Sequence, residues 1–181
     1  LTSSESLRFV PGIRGQGLHF SGEGEKLPSL VYSTGDIFES PETTIALWVK
    51  PDLNPKGDEN RGRFAFRTYS TGEWGKGDNY AVFDKWKKLS FNRFDADKKT
   101  CGAVISSDSI QAGKWTHLSF VRSGGQSRVY VNGYEANYIK TTPLEKEGAL
   151  QKNLSVGQSK GDKKSYFEGT VDELKVFDKA L

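Results

Sequence analysis

Two tryptophans stand apart from the apolar pattern of this chain. Trp74 lies in Thr71-Gly-Glu-Trp-Gly-Lys-Gly77, where few neighbours could bury a ring, and Trp86 lies among Lys85, Lys87 and Lys88. An unshielded flat ring is a stacking surface for the apolar face of a sugar. Beside these rings run two basic clusters with no interleaved acid, Arg61-Gly-Arg63 to Arg67 and Lys85 to Arg93. Arginine grips carboxylate or sulfate with paired hydrogen bonds. Strand alternation would set Arg63 and Arg67 on one face with Ala65 and Tyr69. With Lys85 and Lys88 alongside, that face is an expected seat for an acidic glycan. The blander readings are that the rings fold back as lids on the core and that the cations form a solvated surface.

Side chains suited to catalysis are sparser. Asp95 and Asp97 fall at a hairpin end, and Asp172 and Glu173 are adjacent in a closing strand, where successive side chains point to opposite faces. His19 and His117 both lie in strand-like segments, where a packed imidazole is the expected role. Cys101 is the only cysteine, so no intrachain disulfide forms and no C-x-x-C site exists.

The elements that must position these residues read as strands. Thr43-Thr-Ile-Ala-Leu-Trp-Val-Lys50 alternates, with apolar residues on both faces, which suggests a place inside the sheet stack, and Pro51 stops it. Further strands are expected at 18–20, 30–32, 64–69, 115–122, 128–131 and 154–156, with 80–83 and 89–94 as a hairpin and 101–105 as a further edge. Asn132-Gly133 between Val131 and Tyr134 signals a type I′ hairpin turn. Residues 141–152 read as a loop, with room for a helical turn. In the closing strand Leu174 and Val176 share one face with Asp172, Glu173 and Lys175 take the other, and Gly169 marks a bend or bulge. Trp48 and Trp115 are expected in the core. No apolar stripe of helical period is long enough for a substantial helix.

The 181 residues suit one large domain able to bury a core without disulfides. A net charge of +3 does not by itself argue for nucleic acid. No run is apolar enough for a membrane span. The chain starts at Leu1 without a signal peptide and reads as a processed or excised domain, with 1–8 as linker and 9–181 as the domain. Asn153-Leu-Ser155 is a glycosylation sequon that matters only in a eukaryotic secretory setting.

Six segments in order carry a resemblance: Pro11-Gly12 through Gly15, Gly17-Leu18 and Phe20; Thr44-Ile45 with Trp48-Val49-Lys50-Pro51; Trp115 with His117; Val129-Tyr-Val-Asn-Gly133; Val156-Gly157; and Phe167, Gly169 and Val171-Asp172-Glu173. Together they resemble the laminin-G-like, concanavalin-A-like domains over residues 9–181. The resemblance implies an all-β, two-sheet antiparallel jelly-roll sandwich. It says little of function, since this fold hosts lectins, adhesion modules and glycanases. The E-x-D-x-x-E run of laminarinase-like members and the R-x-E-x-R and Q-x-H strands of alginate-lyase-like members are absent. The resemblance also implies one structural Ca2+, for which Ser21, Glu23 and Asp172 are the matching residues. For Asp172 the competing role is to cap backbone N–H groups.

The expected function is a non-catalytic carbohydrate-binding module of a secreted or surface multidomain protein, attached to a polysaccharide-degrading enzyme. Trp74 and Trp86 would stack on the glycan, while Arg63, Arg67, Tyr69, Lys85 and Lys88 orient it. Its partners would be a poly- or oligosaccharide and the other domains of the same polypeptide, with nucleic acid a weaker candidate. The alternatives are a structural or adhesion domain that binds no glycan, and a divergent glycanase, which needs two carboxylates across one cleft.

Overall fold

The computed structural model describes residues 7–21, 30–35, 37–52, 63–69, 79–84, 88–94, 97, 99–143, 152–157 and 167–181. The side chains of Glu39, Arg63, Phe64, Tyr69 and residues 79–84 lie outside that description. Within it the chain forms two seven-stranded antiparallel sheets and one short 3-10 turn at Ile37–Glu39. Sheet A runs, in spatial order, β1 (Leu7–Pro11), β2 (Gln16–Phe20), β14 (Gly169–Phe177), β4 (Thr43–Pro51), β9 (Thr116–Ser123), β10 (Gln126–Val131) and β11 (Tyr134–Glu135). Sheet B runs β12 (Tyr138–Thr142), β8 (Thr100–Ser106), β7 (Lys88–Phe94), β6 (Asn79–Asp84), β5 (Arg63–Tyr69), β13 (Asn153–Val156) and β3 (Leu30–Ser33). The two sheets pack face to face as a jelly-roll sandwich, as expected.

Strand alternation builds the core between them. Ile45, Leu47 and Val49 of β4 and Leu118 and Phe120 of β9 meet Phe66 of β5, Leu89 and Phe91 of β7 and Ala103 and Ile105 of β8. Phe66, Phe91 and Phe120 form a triangle of rings with centroids 5.1–6.4 Å apart, the spacing aromatic pairs prefer. The β10–β11 turn has positive φ at both Asn132 (52°) and Gly133 (85°), as a type I′ turn requires.

Several expectations need correction. β1 begins at Leu7, inside the stretch read as linker, because Leu7 to Pro11 pairs with Phe20 to Gln16. β8 is an interior strand between β7 and β12, not an edge, and β12 itself falls in a segment partly read as loop. The closing strand β14 is interior, between β2 and β4, in keeping with its reading as a central strand. Its bulge lies at Glu173–Leu174, not at Gly169. Asp172 pairs with Trp48 and Lys175 with Ala46, so two residues oppose Leu47 alone, and Glu173 takes φ 48°. The extra residue reverses the alternation. Val171, Leu174 and Val176 all pack toward the core, and Asp172, expected beside Leu174, falls on the other side.

Candidate functional site

The face of sheet B turned away from the core gathers polar side chains. On β7, Leu89 and Phe91 point inward, so Lys88, Ser90 and Asn92 point outward. On β13, inward Leu154 and Val156 leave Ser155 outward, and Ser155 is in register with Arg67. One row of the ladder therefore runs Ser155, Arg67, Tyr80, Asn92, Gly102, Thr142 across five neighbouring strand pairs. Ser155 Oγ donates to the Arg67 carbonyl at 3.3 Å. At ~4.8 Å between strands, the row from Arg67 to Thr142 spans about 19 Å.

Arg67 is not presented to open solvent as expected: it is 1% exposed, and Ser155 is equally buried. Arg67 has partners within the protein, as burial of a guanidinium demands. Asn92 and Lys88 are half-buried on the same face. Lys88 lies at the start of β7, in register with Asp84 and Ser106.

The expected pairing of Arg63 with Arg67 on one face does not hold. Phe64 pairs with Val82 and Phe66 with Ala81, so Ala65 is an extra residue in β5. Ala65 and Phe66 are both buried in the core, and the register of Arg63 leads through Phe83 to the core position Leu89. Tyr69 continues β5 and pairs with Asn153. Trp74, Trp86, Lys85 and Glu23 lie outside the described residues. Ser90, Asn92 and Ser155 escaped the sequence reading because they carry no motif. The signal was the period-2 alternation of Lys88-Leu-Ser-Phe-Asn92, whose polar members share a face. The sequon residue Asn153 sits in the same strand as Ser155, between β5 and β3, rather than on a loop.

Sheet A presents a different outer face. Trp48, expected in the core, is half-buried on this outer side with its ring 5.1 Å from that of His117 and tilted 57°. Trp115 is likewise half-buried, with Lys50 Nζ 5.3 Å from its ring centre. Burial, and then the charge of Lys175, hold the His117 pKa below its usual value, so the ring favours its neutral form. The Lys175 ammonium pairs with Glu173 at 2.8 Å. On β2, His19 Nδ1 lies 3.3 Å from Thr170 Oγ1 and Nε2 lies 3.6 Å from Asp52 Oδ2. That order imitates a nucleophile–base–acid relay, but Thr170 is 1% exposed and its hydroxyl has no access to a substrate.

With this geometry in view, comparison with known proteins is informative. A family profile described as the concanavalin A-like lectin/glucanases superfamily matches residues 26–181. The chain belongs to that superfamily. No curated protein sequence matches it. Similar solved structures include domain 4 of AbnA, a GH43 extracellular arabinanase from Geobacillus stearothermophilus, in complex with arabinotriose. It is 22% identical, with a TM-score of 0.64 over 99% of this chain and 78% of that one. A heptameric SAP-like pentraxin from Limulus polyphemus is 18% identical, with a TM-score of 0.65 over 90% of this chain and 76% of that one. A structure of botulinum neurotoxin type C, whose cell entry depends on interaction with two ganglioside molecules, is 14% identical, with a TM-score of 0.70 over 97% of this chain. This superfamily domain spans 42% of that toxin chain. These likenesses carry the fold. Among the described residues, no helix is long and apolar enough to cross a membrane.

For a concanavalin A-like domain, the cation expected at Ser21, Glu23 and Asp172 is tested by what surrounds Asp172. Its Oδ2 accepts from the backbone N–H of Ile13 (2.8 Å) and Arg14 (3.0 Å), and its Oδ1 accepts from Glu173 N–H (2.8 Å). A hard cation needs converging oxygens, whereas amide donors converge here. A Cβ on Gly12 would lie 2.3 Å from Oδ2, so the turn between β1 and β2 closes tightly over the carboxylate. Asp172 is a clasp for that turn. Among the described residues no group of three metal-ligating side chains gathers.

Proposed function

We propose that this domain binds carbohydrate without chemistry, as an accessory module of a secreted or surface multidomain protein. The observation that carries the reading is the outer face of sheet B, where the core's own alternation turns Lys88 and Asn92 out, half-buried, beside the buried Ser90, Arg67 and Ser155. Amide, hydroxyl and cationic groups on a rigid sheet suit the hydroxyls and carboxylates of a glycan. Hydrolysis would need two carboxylates facing one another, and the described side chains that register places on this face are cations, an amide and hydroxyls beside the apolar Val31 and Val104. Trp74 and Trp86 belong to the same proposal as stacking rings, with Tyr69 and Lys85 as orienting groups. Superfamily membership and the likeness to an arabinanase domain holding arabinotriose favour the reading. Attachment to a polysaccharide-degrading enzyme and an extracellular location are part of it.

Affinity electrophoresis against neutral and acidic polysaccharides, with and without EDTA, is the direct test. Retardation by a glycan that weakens in Lys88→Ala and Asn92→Ala supports the reading. Loss with EDTA would restore a calcium requirement. Retardation by no glycan would favour a structural or adhesion domain instead.

A further inference from the structure

A second recess opens on the opposite side of the sandwich from the β1 and β3 edges. It is a cavity of about 270 Å³ between β10–β11 of sheet A and β8–β12 of sheet B. Gln126, Arg128, Glu135, Tyr138 and Thr142 line it, with the bare backbone of Gly102 as part of one wall. The larger cleft at the other side, about 590 Å³, also carries Gln16, Tyr32, Asp172 and Glu173, but Leu7, Phe9, Leu18, Phe20, Leu30, Val156 and Val171 make most of its wall apolar.

The polar groups of the smaller cavity are held in place. Tyr138 Oη accepts from Val129 N–H at 3.2 Å and donates to Glu135 Oε1 at 2.8 Å, which fixes both the ring and the carboxylate. Arg128 and Glu135 bring opposite charges to the same wall. The wall thus presents an amide, two opposite charges, hydroxyls and one clamped aromatic ring. Opposite charges side by side leave little net field to attract an ion. Groups that donate and groups that accept, next to a flat apolar surface, match a polyol, whose hydroxyls do both and whose C–H face stacks on a ring.

Resting on the carbohydrate-binding reading, we propose that this cavity is a separate subsite for one neutral sugar residue, with Gln126, Glu135 and Arg128 bonding its hydroxyls and Tyr138 against its ring. Gly102 and Thr142 also end the register row that runs through Arg67 and Asn92. Gly102 and Thr142, on β8 and the edge strand β12, thus border both the row and the cavity.

The test is an amide NMR titration of the full chain with arabinose, galactose, glucose, glucuronate and galactose 6-sulfate, alongside the polysaccharide retention assay. Saturable shifts at residues 126–129, 135 and 142 with a neutral sugar are expected. Glu135→Gln or Gln126→Ala should weaken them about fivefold or more, as loss of one or two hydrogen bonds implies. Both side chains are exposed, so their replacement leaves the fold intact. Lys88→Ala with Asn92→Ala should leave these shifts in place. Rim shifts with the two anionic sugars alone would overturn the neutral-sugar assignment. Polysaccharide retention that depends on Lys88 and Asn92, with no rim shifts from any sugar, would overturn the subsite while leaving the carbohydrate-binding reading standing. Neither retention nor shifts would overturn both.

Discussion

The two sheets have the same number of strands and obey the same alternation, yet their outer faces are spent differently. Sheet A closes its outer face with its own side chains: Trp48 on His117, Lys50 over Trp115, Lys175 on Glu173, and the Asp172 clasp over the β1–β2 turn. Even the Thr44 hydroxyl is consumed, donating to Lys179 O and accepting from Leu181 N–H. Sheet B sets a row of amide, hydroxyl and cationic groups on its outer side, with Arg67, Ser90 and Ser155 buried in it and Lys88 and Asn92 half-buried. The difference teaches that half-buried aromatics on a sheet face need not mark a binding site. When each ring already has a partner, the face is self-satisfied, and a row of ordinary polar side chains is as good a candidate for binding.

This contrast can be broken most forcefully at Asp172. Asp172→Ala would strand three backbone N–H groups and should cost about 3 kcal/mol, lowering the thermal midpoint by about 6–12 °C in a chain of this size. Gly12→Ala should act in the same direction, by forcing a Cβ into the carboxylate. A midpoint within a degree of wild type would show that the clasp is dispensable. EDTA should leave the wild-type midpoint unchanged, because the clasp is made of amides.

Next in size is Trp48→Ala, expected to cost about 2 kcal/mol, less than a fully buried tryptophan because the ring is half-exposed. Glycan retention should be unaffected. If retention fell with Trp48 and stability did not, the roles of the two faces would have to be exchanged.

Lys88→Ala combined with Asn92→Ala should do the reverse. Stability should change by no more than about 0.5 kcal/mol, while retention weakens about fivefold or more. Electrophoretic mobility and a thermal melt on the same sample separate the two effects.

The smallest effects are in pH. The His117 pKa is lowered in the folded state, so the stability tied to its neutral form is present above the unfolded value of 6.5 and is lost as pH falls through the lower folded value. His117→Phe should flatten the acid limb of a midpoint-versus-pH curve. Tyr138 moves the other way: burial, assisted by its bond to Glu135, pushes its phenol up from 10.0 to about 12. Its contribution is complete below pH 10 and is lost as pH rises through about 12, so Tyr138→Phe should remove the alkaline decline. An unchanged slope in either variant would mean the group does not carry the linkage.

Much of the architecture was legible in the residues. Ile45, Leu47 and Val49 announce β4, Asn132-Gly133 announces a hairpin with both φ values positive, and the order of weak motifs leads to the right superfamily. Alternation is a local property of the extended chain, so it survives in a string of letters. Of the candidate site, the basic runs that hold Arg67 and Lys88 were legible, but not the burial of Arg67 nor the face it shares with Asn92. What the letters do not contain is the bulge. One extra residue at Ala65 separates Arg63 from Arg67, and two residues against Leu47 in β14 turn Asp172 away from Leu174. A bulge is decided by how two strands distant in sequence share a ladder, and it reverses every face beyond it. The same holds for the cavity at Tyr138, whose walls come from β8, β10, β11 and β12. Sequence by itself determined which segments are strands and which residues are apolar enough to face a core. Tertiary structure alone decided which polar side chains stand together, because cross-strand register is a pairwise energy between segments and not a property of either one.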